Sequence, residues 1–352
     1  MLTKEIDHAV EQSVQRLHKV AVPPVKYWLL TFVEMKDRED GEVQRVLKEA
    51  KEYPPRLKML RSLREDGTWP ISKPRKAAED AGPGPPYGWT YITVLRNLYW
   101  LYEYCTDADE GHVNQALDKI LSYQDEEGYI RGPMADMIPR PYYNGLALSI
   151  LLRYGREKTD PDIERIFDWL MKMQRHDGGW NIPYTEDMKY LPEYRGMRLE
   201  EFTDLVRAGK VREYDPADYK HIPSCYWSTV GVLRGMAWIT DNPRTADVKR
   251  GGSFVLDGFF KRNHHSTFFQ SEKNWTMLKF PTYNGSGLTA LDSLLYTGFG
   301  PKEPRMEKPI RWLLSARSKD GFWYQTERPH ALNDQWITVT ALMVLSYYSR
   351  KF

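Results

Sequence analysis

The sequence predicts an all-α protein, an (α/α)6 toroid in which six helical hairpins form two concentric layers. Three observations favour this fold class. A helix that runs into a glycine turn, followed by an aromatic residue, recurs four times in the 352 residues. Each copy is followed by a linker and a second, more apolar helix, and these apolar helices start at near-constant spacing. Amphipathic and apolar helices therefore alternate, as expected for a half-exposed outer layer around a buried inner one.

The glycine turns are the clearest repeat in the chain. Glycine adopts the left-handed conformation that ends a helix, and the aromatic residue after it can fold back on the preceding turns. The four copies occupy residues 60–69, 120–129, 170–180 and 313–323. The helices that lead into them carry charges on one face only, which assigns them to the outer layer.

The apolar helices supply the inner layer. They start near Trp89, Tyr142, Cys225, Tyr283 and Trp336, at spacings of about 53, 83, 58 and 53 residues. A further buried helix near 25–35 brings the number of hairpins to about six, which closes a circle. A tetratricopeptide or HEAT solenoid is the competing architecture, but its repeat is shorter, about 34–47 residues, and lacks the glycine turn.

One unit is longer than the others by roughly 30 residues, and the extra residues lie between 181 and 222. This segment is rich in charge and tyrosine and has one short helical stretch near 199–208. Long loops inside compact domains are often lids or binding loops. We therefore expect a single toroid domain over residues 1–352 with an insertion, or lid loop, at about 181–222.

Composition narrows the function classes. The net charge is +2, from 50 Lys and Arg against 48 Asp and Glu, so nucleic acid is not an expected partner. Cys105 and Cys225 are the only cysteines, which excludes a disulfide framework and a four-cysteine zinc site and makes a cytoplasmic location the expectation. No apolar run is long enough to span a bilayer, although peripheral membrane contact stays open.

The glycine turns carry a family resemblance. The Gln-x-x-Asp-Gly-Gly-Trp sequence at Gln174–Trp180, with degenerate copies at 64–69, 124–129 and 317–323, resembles the repeats of squalene/hopene cyclases and protein-prenyltransferase β-subunits. Within that superfamily the chain is most similar to short single-toroid prokaryotic prenyltransferase-like proteins. The resemblance covers about residues 25–350. It implies a central pocket at the N-terminal ends of the inner helices that holds an isoprenoid chain.

Aromatic residues stand where the resemblance places that pocket. A desolvated aromatic face stabilises a cation by up to about 2 kcal/mol, so several rings together can lower a carbocation barrier. The alternative role for each of them is packing in the core or at the rim. The candidate substrate-binding residues, all at or just inside inner-helix starts, are Trp89, Tyr91, Tyr142, Tyr143, Tyr226, Trp227, Tyr283 and Trp336.

A catalytic acid is harder to assign. The Asp-x-Asp-Asp run of class II cyclases, in which one carboxylic acid protonates an alkene, is absent from the sequence. The nearest string, at 107–110, lies before an outer helix and suits helix capping. Asp334, at the start of the last inner helix, is the best single candidate acid, and a helix cap is its alternative role.

A zinc site like that of the prenyltransferases is a second candidate. The resemblance places a zinc-ligating Cys near an inner-helix start and a His in a later unit, so Cys225, His221 and His330 are the candidate metal ligands. The family's Asp two residues before the Cys is Pro223 in this sequence. The alternative is that Cys225 is a small packed residue and His221 a loop hydrogen-bonding group.

These residues favour an isoprenoid- or terpenoid-handling toroid, with terpene cyclase-like or prenyltransferase-like activity in a central aromatic pocket that binds an apolar, isoprenoid-like small molecule. Two alternatives stay open: a non-catalytic binding or scaffold toroid, and a carbohydrate-active (α/α)6-barrel enzyme. Two carboxyl groups roughly 5–10 Å apart in a polar cleft would favour sugars. A dry aromatic cavity would favour isoprenoids.

Overall fold

A computed structural model describes residues 2–71, 87–131, 138–238, 245–263, 269, 271–279, 285–326 and 331–350, apart from the side chains of 87–89, 207, 245 and 331. Within these ranges every regular element is helical, and the β structure consists of two isolated bridges. The all-α class predicted from the sequence is confirmed. None of the helices in this part of the chain is both long and apolar enough to cross a bilayer.

Among the described residues, six helices form the inner layer. The repeat predicts them as apolar on all sides, and most of their described residues are buried. The first is short and continues as a π-helical turn at Leu29–Val33. Their bounds are α2 Pro23–Trp28, α5 Tyr87–Glu103, α7 Pro141–Arg153, α11 Tyr226–Met236, α14 Gly287–Tyr296 and α16 Ala331–Arg350.

The outer helices are amphipathic. In α8, for example, Ile163, Ile166 and Leu170 are buried, whereas the side chain of Asp160 caps the N-terminus by accepting from Asp162 N at 2.9 Å. The outer helices are α1 Leu2–Leu17, α3 Gly41–Lys51, α4 Pro54–Ser62, α6 Val113–Leu121, α8 Pro161–Met173, α12 Thr245–Gly258 and α15 Glu307–Ser315.

The inner helices close into a circle. Tyr99 Oη in α5 donates to Leu146 O in α7, and Tyr142 in α7 stacks on Trp227 in α11. Arg234 of α11 pairs with Asp292 of α14, and Tyr296 of α14 packs on Tyr347 of α16. Gln335 of α16 accepts a hydrogen bond from Val22 N just before α2, and Trp28 of α2 donates to Glu103 O of α5. Helix α1 also packs on α16, so both layers meet at the chain ends. The predicted toroid is therefore closed, unlike an open solenoid.

The glycine turns repeat one geometry. Trp180 Nε1 donates to Leu170 O at 2.6 Å, and Trp323 Nε1 donates to Leu313 O at 2.7 Å, ten residues back in each case. Gly178 has φ +94°, and a Cβ on it would lie 2.7 Å from the backbone of Arg250 in the next outer helix. The aromatic residue thus closes its own turn, and the glycine lets the next hairpin approach.

The insertion at 181–222 contains a 3₁₀ turn at Met188–Tyr190 and two short helices, α9 Leu199–Arg207 and α10 Pro216–Tyr219. The short helix predicted near 199–208 is confirmed. Arg175 and Asp187, both buried, join the insertion to the third glycine turn by hydrogen bonds of 3.0 and 3.1 Å. Its position over one mouth of the toroid stays a prediction. A five-residue helix, α13 Glu272–Thr276, precedes α14.

Candidate functional site

The predicted aromatic residues of three inner helices meet in one group, called here the aromatic cluster: Tyr91, Tyr142, Tyr143 and Trp227. Tyr142 stacks on Trp227 with ring centroids 3.9 Å apart, and Tyr143 lies edge-on to Tyr142 at 5.4 Å. Tyr143 also reaches Tyr91 of α5 at 6.2 Å and Trp227 at 6.4 Å. The starts of α5, α7 and α11 therefore approach one another at these rings.

Two other predicted aromatics lie elsewhere. Tyr226 packs against Phe254 of the outer helix α12 and against Trp275, at 4.9 and 5.6 Å. Trp336 is buried, and its ring lies 6.1 Å from that of Tyr104. The side chain of Trp89 and the whole of Tyr283 lie outside the described residues, so their predicted role stays a prediction.

Asp334 is buried, and its carboxylate is hydrogen-bonded to the backbone. Its Oδ1 accepts a hydrogen bond from Gln325 N at 3.0 Å, which holds the segment after the last glycine turn against α16. This bond gives the carboxylate a structural role at the helix start. That role differs from the helix cap that the sequence offers as the alternative to catalysis. Its role as a catalytic acid is not tested by this geometry.

Cys225 is fully buried in the wall of the toroid. Asn263 Nδ2 donates to its sulfur at 3.2 Å, and burial raises the pKa of the thiol to about 12. His221 is exposed, and His330 lies outside the described residues.

The described candidates for zinc lie apart in their surroundings. Cys225 is buried and His221 is exposed, and Pro223 stands where the resemblance requires an acid. In the part of the chain that the structure describes, no three His, Cys, Asp or Glu side chains form a group that could hold a metal ion. These donors do not fit zinc.

A central cavity lies toward the C-terminal ends of the inner helices. All six of these helices line it, so it sits on the axis of the toroid. Its volume is about 40 Å³, enough for about one water molecule. The lining residues are Trp28, Phe32, Tyr102, Glu103, Arg153, Arg234, Trp238, Asp292, Tyr296, Val339, Thr340 and Met343.

Two ion pairs cross this cavity. Arg153 Nη1 lies 3.6 Å from Glu103 Oε1, and Arg234 Nη1 lies 3.6 Å from Asp292 Oδ2. The guanidinium of Arg153 also stands over the rings of Tyr102 and Trp238, at 5.1 and 5.0 Å from their centroids. Two positive and two negative side chains thus pair inside an aromatic wall. Burial removes water from each charge, so each one needs a partner of opposite sign.

Glu103 is a carboxyl group of this cavity with a shifted pKa. Burial raises the pKa of its carboxyl above the usual range, because the charged form is poorly solvated there. The cations Arg153 and Arg234 act in the opposite direction and stabilise the carboxylate. Burial thus favours the protonated carboxyl and the two arginines favour the carboxylate, which makes Glu103 a candidate group for proton transfer.

Sequence reasoning missed the central cavity. The resemblance placed the pocket at the N-terminal ends of the inner helices, where the aromatic cluster lies. At 1.5 Å per residue, the cavity residues lie roughly 10–17 Å further along the same helices. A usable signal was present: Arg153, Arg234 and Asp292 are each the single charge of an otherwise apolar helix, and Glu103 ends α5, whose one other charge is Arg96. Such charges are rarely buried without a partner.

The comparisons with known proteins concern the fold. No protein-family model matches the sequence, and no curated protein matches it. Among solved structures, the apo type II terpene cyclase MstE from Scytonema matches with 12% identity and a TM-score of 0.49, over 99% of this chain and 98% of its own.

Two further structures match over similar lengths. A variant of MstE in complex with geranylgeranyl dihydroxybenzoate, its substrate, matches with 12% identity and a TM-score of 0.48, over 99% of this chain and 98% of its own. A protein from Actinoplanes matches with 11% identity and a TM-score of 0.45, over 98% of this chain and 99% of its own.

Proposed function

We propose that the protein is an isoprenoid-handling toroid with terpene cyclase-like activity on its axis. One observation carries the proposal: aromatic rings from three inner helices converge at one level, and a carboxyl group with two neighbouring arginines lies further along the same helices. The rings and the carboxyl group thus belong to one circle of helices. A chain lying along the axis would meet aromatic faces first and the proton-exchanging group next. The two free cysteines agree with a cytoplasmic location.

Apolar area would supply most of the affinity. A 15-carbon chain that buries some 400 Å² gains on the order of 10 kcal/mol before ordering costs, at about 25 cal/mol per Å². The central cavity, at about 40 Å³, is too small for such a chain. The chain would therefore bind on the side of the aromatic cluster, and only its reacting end would enter the cavity as side chains move aside.

In this proposal Glu103 exchanges the proton. The neutral acid adds its proton to one carbon of an alkene, which leaves a carbocation on the other carbon and a carboxylate on Glu103. A second alkene attacks the cation and closes a ring, and the carboxylate takes back a proton from the final cation. The net reaction is an isomerisation. Arg153 stabilises the transient carboxylate.

The test is turnover of isoprenoids by matched variants. Purified protein is incubated with farnesyl diphosphate, geranylgeranyl diphosphate or squalene, with and without magnesium or zinc, and products are separated by gas chromatography with mass detection. We expect Glu103→Gln, which keeps shape and removes the acid, to abolish product while isoprenoid binding persists. Asp334→Asn is the control and should retain turnover.

Other results would redirect the proposal. Turnover lost with Asp334→Asn but kept with Glu103→Gln would assign the acid to Asp334. Binding of an isoprenoid without any product would support a carrier rather than an enzyme. If no isoprenoid bound, the proposal would fail.

One observation favours the carbohydrate alternative, because Glu103 and Asp292 line the same cavity as two carboxyl groups with aromatic neighbours. Glycoside hydrolysis uses such a pair, one with a raised pKa. Each carboxylate already has an arginine partner, however, and a sugar ring does not fit in about 40 Å³. Release of a chromogenic phenol from aryl glycosides, lost in both Glu103→Gln and Asp292→Asn, would favour this reading.

A further inference from the structure

A second and larger cavity lies where the insertion meets the outer layer. We call it the insertion cavity; its volume is about 220 Å³. Helix α8 and the second glycine turn form one side, and residues 183–184 and 213–216 of the insertion form the other. Typical ligand pockets measure about 300–1,000 Å³, so this one suits a small molecule. None of its lining residues belongs to the central cavity.

Four aromatic rings line the insertion cavity in two pairs. Tyr129 and Trp169 have centroids 5.5 Å apart, and Tyr184 and Tyr214 form an edge-to-face pair at 4.8 Å. One pair comes from the toroid and the other from the insertion. A ligand between them would therefore meet rings from two sides.

The hydroxyl groups of the insertion pair are already engaged. Tyr214 Oη donates to Asp187 Oδ2 at 2.8 Å and accepts from Arg175 Nη2 at 2.7 Å, and Tyr184 Oη donates to Arg212 O. These bonds lock both rings in place, and their hydroxyls are not needed for a ligand. What Tyr184 and Tyr214 offer is π surface, held rigid before any ligand arrives.

The charges around the insertion cavity are in negative excess. Glu127 and Glu213 line it together with one cation, Lys172, and all three side chains are exposed at the rim. Within the described residues neither glutamate forms a salt bridge, in contrast to the arginine-paired carboxylates of the central cavity. Aromatic faces and free carboxylates both attract positive charge.

We propose that the insertion cavity binds a small organic cation of the quaternary or alkylated ammonium class. The methyl groups of such a cation suit apolar ring faces, and its diffuse charge needs no hydrogen-bond acceptor. A neutral sugar would need hydroxyl partners, which Tyr184 and Tyr214 do not provide. An anion would meet two carboxylates and π faces. The tyrosines reach the cation only while the insertion is docked, so binding also holds the insertion in place.

The experiment compares choline with its uncharged isostere 3,3-dimethyl-1-butanol by titration calorimetry on the full chain. We expect choline to bind at least tenfold more tightly, because the two molecules differ in charge and hardly in shape. Glu213→Gln should weaken choline binding at least threefold, and Tyr184→Leu at least fivefold. Glu200→Gln, an exposed glutamate of α9 away from the cavity, is the matched control and should leave binding unchanged.

Each other outcome would overturn the inference. Equal affinity for both isosteres would mean an apolar site without cation selectivity. No binding of choline to the folded wild type, or the same loss with Glu200→Gln as with Glu213→Gln, would remove the site. Cosedimentation with phosphatidylcholine vesicles but no binding of free choline would indicate a membrane surface instead. Glu103→Gln should keep choline binding intact, so this result is independent of the proposed catalysis.

Discussion

The packing of α7 on α11 depends on two glycines that face each other. A Cβ added to Gly145 would lie 2.6 Å from Val232 Cα and 2.7 Å from Gly231 C, with Gly231 O closer still. Ordinary contacts of a Cβ lie at 3.4–4 Å. All three obstructing atoms belong to the backbone of the neighbouring helix, so no side-chain rotation relieves the overlap. Gly145→Ala must push the two helices apart by roughly 1 Å.

The expected cost follows from two opposing effects. Overpacking a buried interface costs typically 1–3 kcal/mol, and an obstruction by backbone belongs at the upper end of that range. Alanine recovers about 1 kcal/mol through its better helix propensity. We therefore expect Gly145→Ala to lower the free energy of unfolding by about 2 kcal/mol. The same displacement would loosen the stack of Tyr142 on Trp227, which joins these helices.

Urea unfolding followed by circular dichroism measures this effect. The matched control is Gly41→Ala at the start of the outer helix α3, where an added Cβ meets no atom within 4 Å. Gly41→Ala should change the free energy of unfolding by less than about 0.5 kcal/mol. If Gly145→Ala and Gly41→Ala unfolded at the same urea concentration, the close contact of α7 and α11 would be wrong.

Three further predictions concern the insertion. Burial raises the pKa of Glu186 from 4.5 to about 7, so the stability that its carboxyl contributes is full below pH 4.5 and is lost as the pH rises to 7. Glu186→Gln should therefore stabilise the protein by up to about 3 kcal/mol at pH 8 and hardly at pH 4. Urea unfolding at both pH values measures this difference. Asp187→Asn leaves a buried arginine without its counter-ion and should cost about 3–5 kcal/mol in thermal or urea unfolding. Glu201→Gln in an exposed pair is the control and should leave stability nearly unchanged, so equal costs would contradict the buried network. In hydrogen exchange the amides of 196–212 should exchange at least tenfold faster than those of α11, and equal protection would argue against a lid.

The sequence by itself determined the architecture, because its signals are local. Helical periodicity assigns inner and outer helices, and a glycine with positive φ turns the chain five to seven residues after the end of α4, α6, α8 and α15. Trp180 and Trp323 close their own turns ten residues back, so their role is contained within the repeat. Helical hairpins of this kind bury their apolar faces against one another, and closing them into a circle also covers the two end hairpins.

The sequence determined the aromatic cluster only in part. The repeat fixes the level at which Tyr226 and Trp227 lie but leaves the rotation of α11 about its own axis open. Consecutive residues of a helix point about 100° apart. Trp227 therefore joins Tyr142 in the cluster while Tyr226 faces the outer helix. The close approach of α7 and α11 at their glycines sets this rotation of α11.

Only the tertiary structure decided where the charges meet. Glu103, Arg153, Arg234 and Asp292 stand on four different helices and are spread over almost two hundred residues. No local pattern relates them, because pairing depends on the tilt and height of each helix around the axis. Once the circle closes, desolvation makes each of these charges costly without a partner, and the four come together in two pairs. The central cavity is thus a consequence of closure rather than of any single motif.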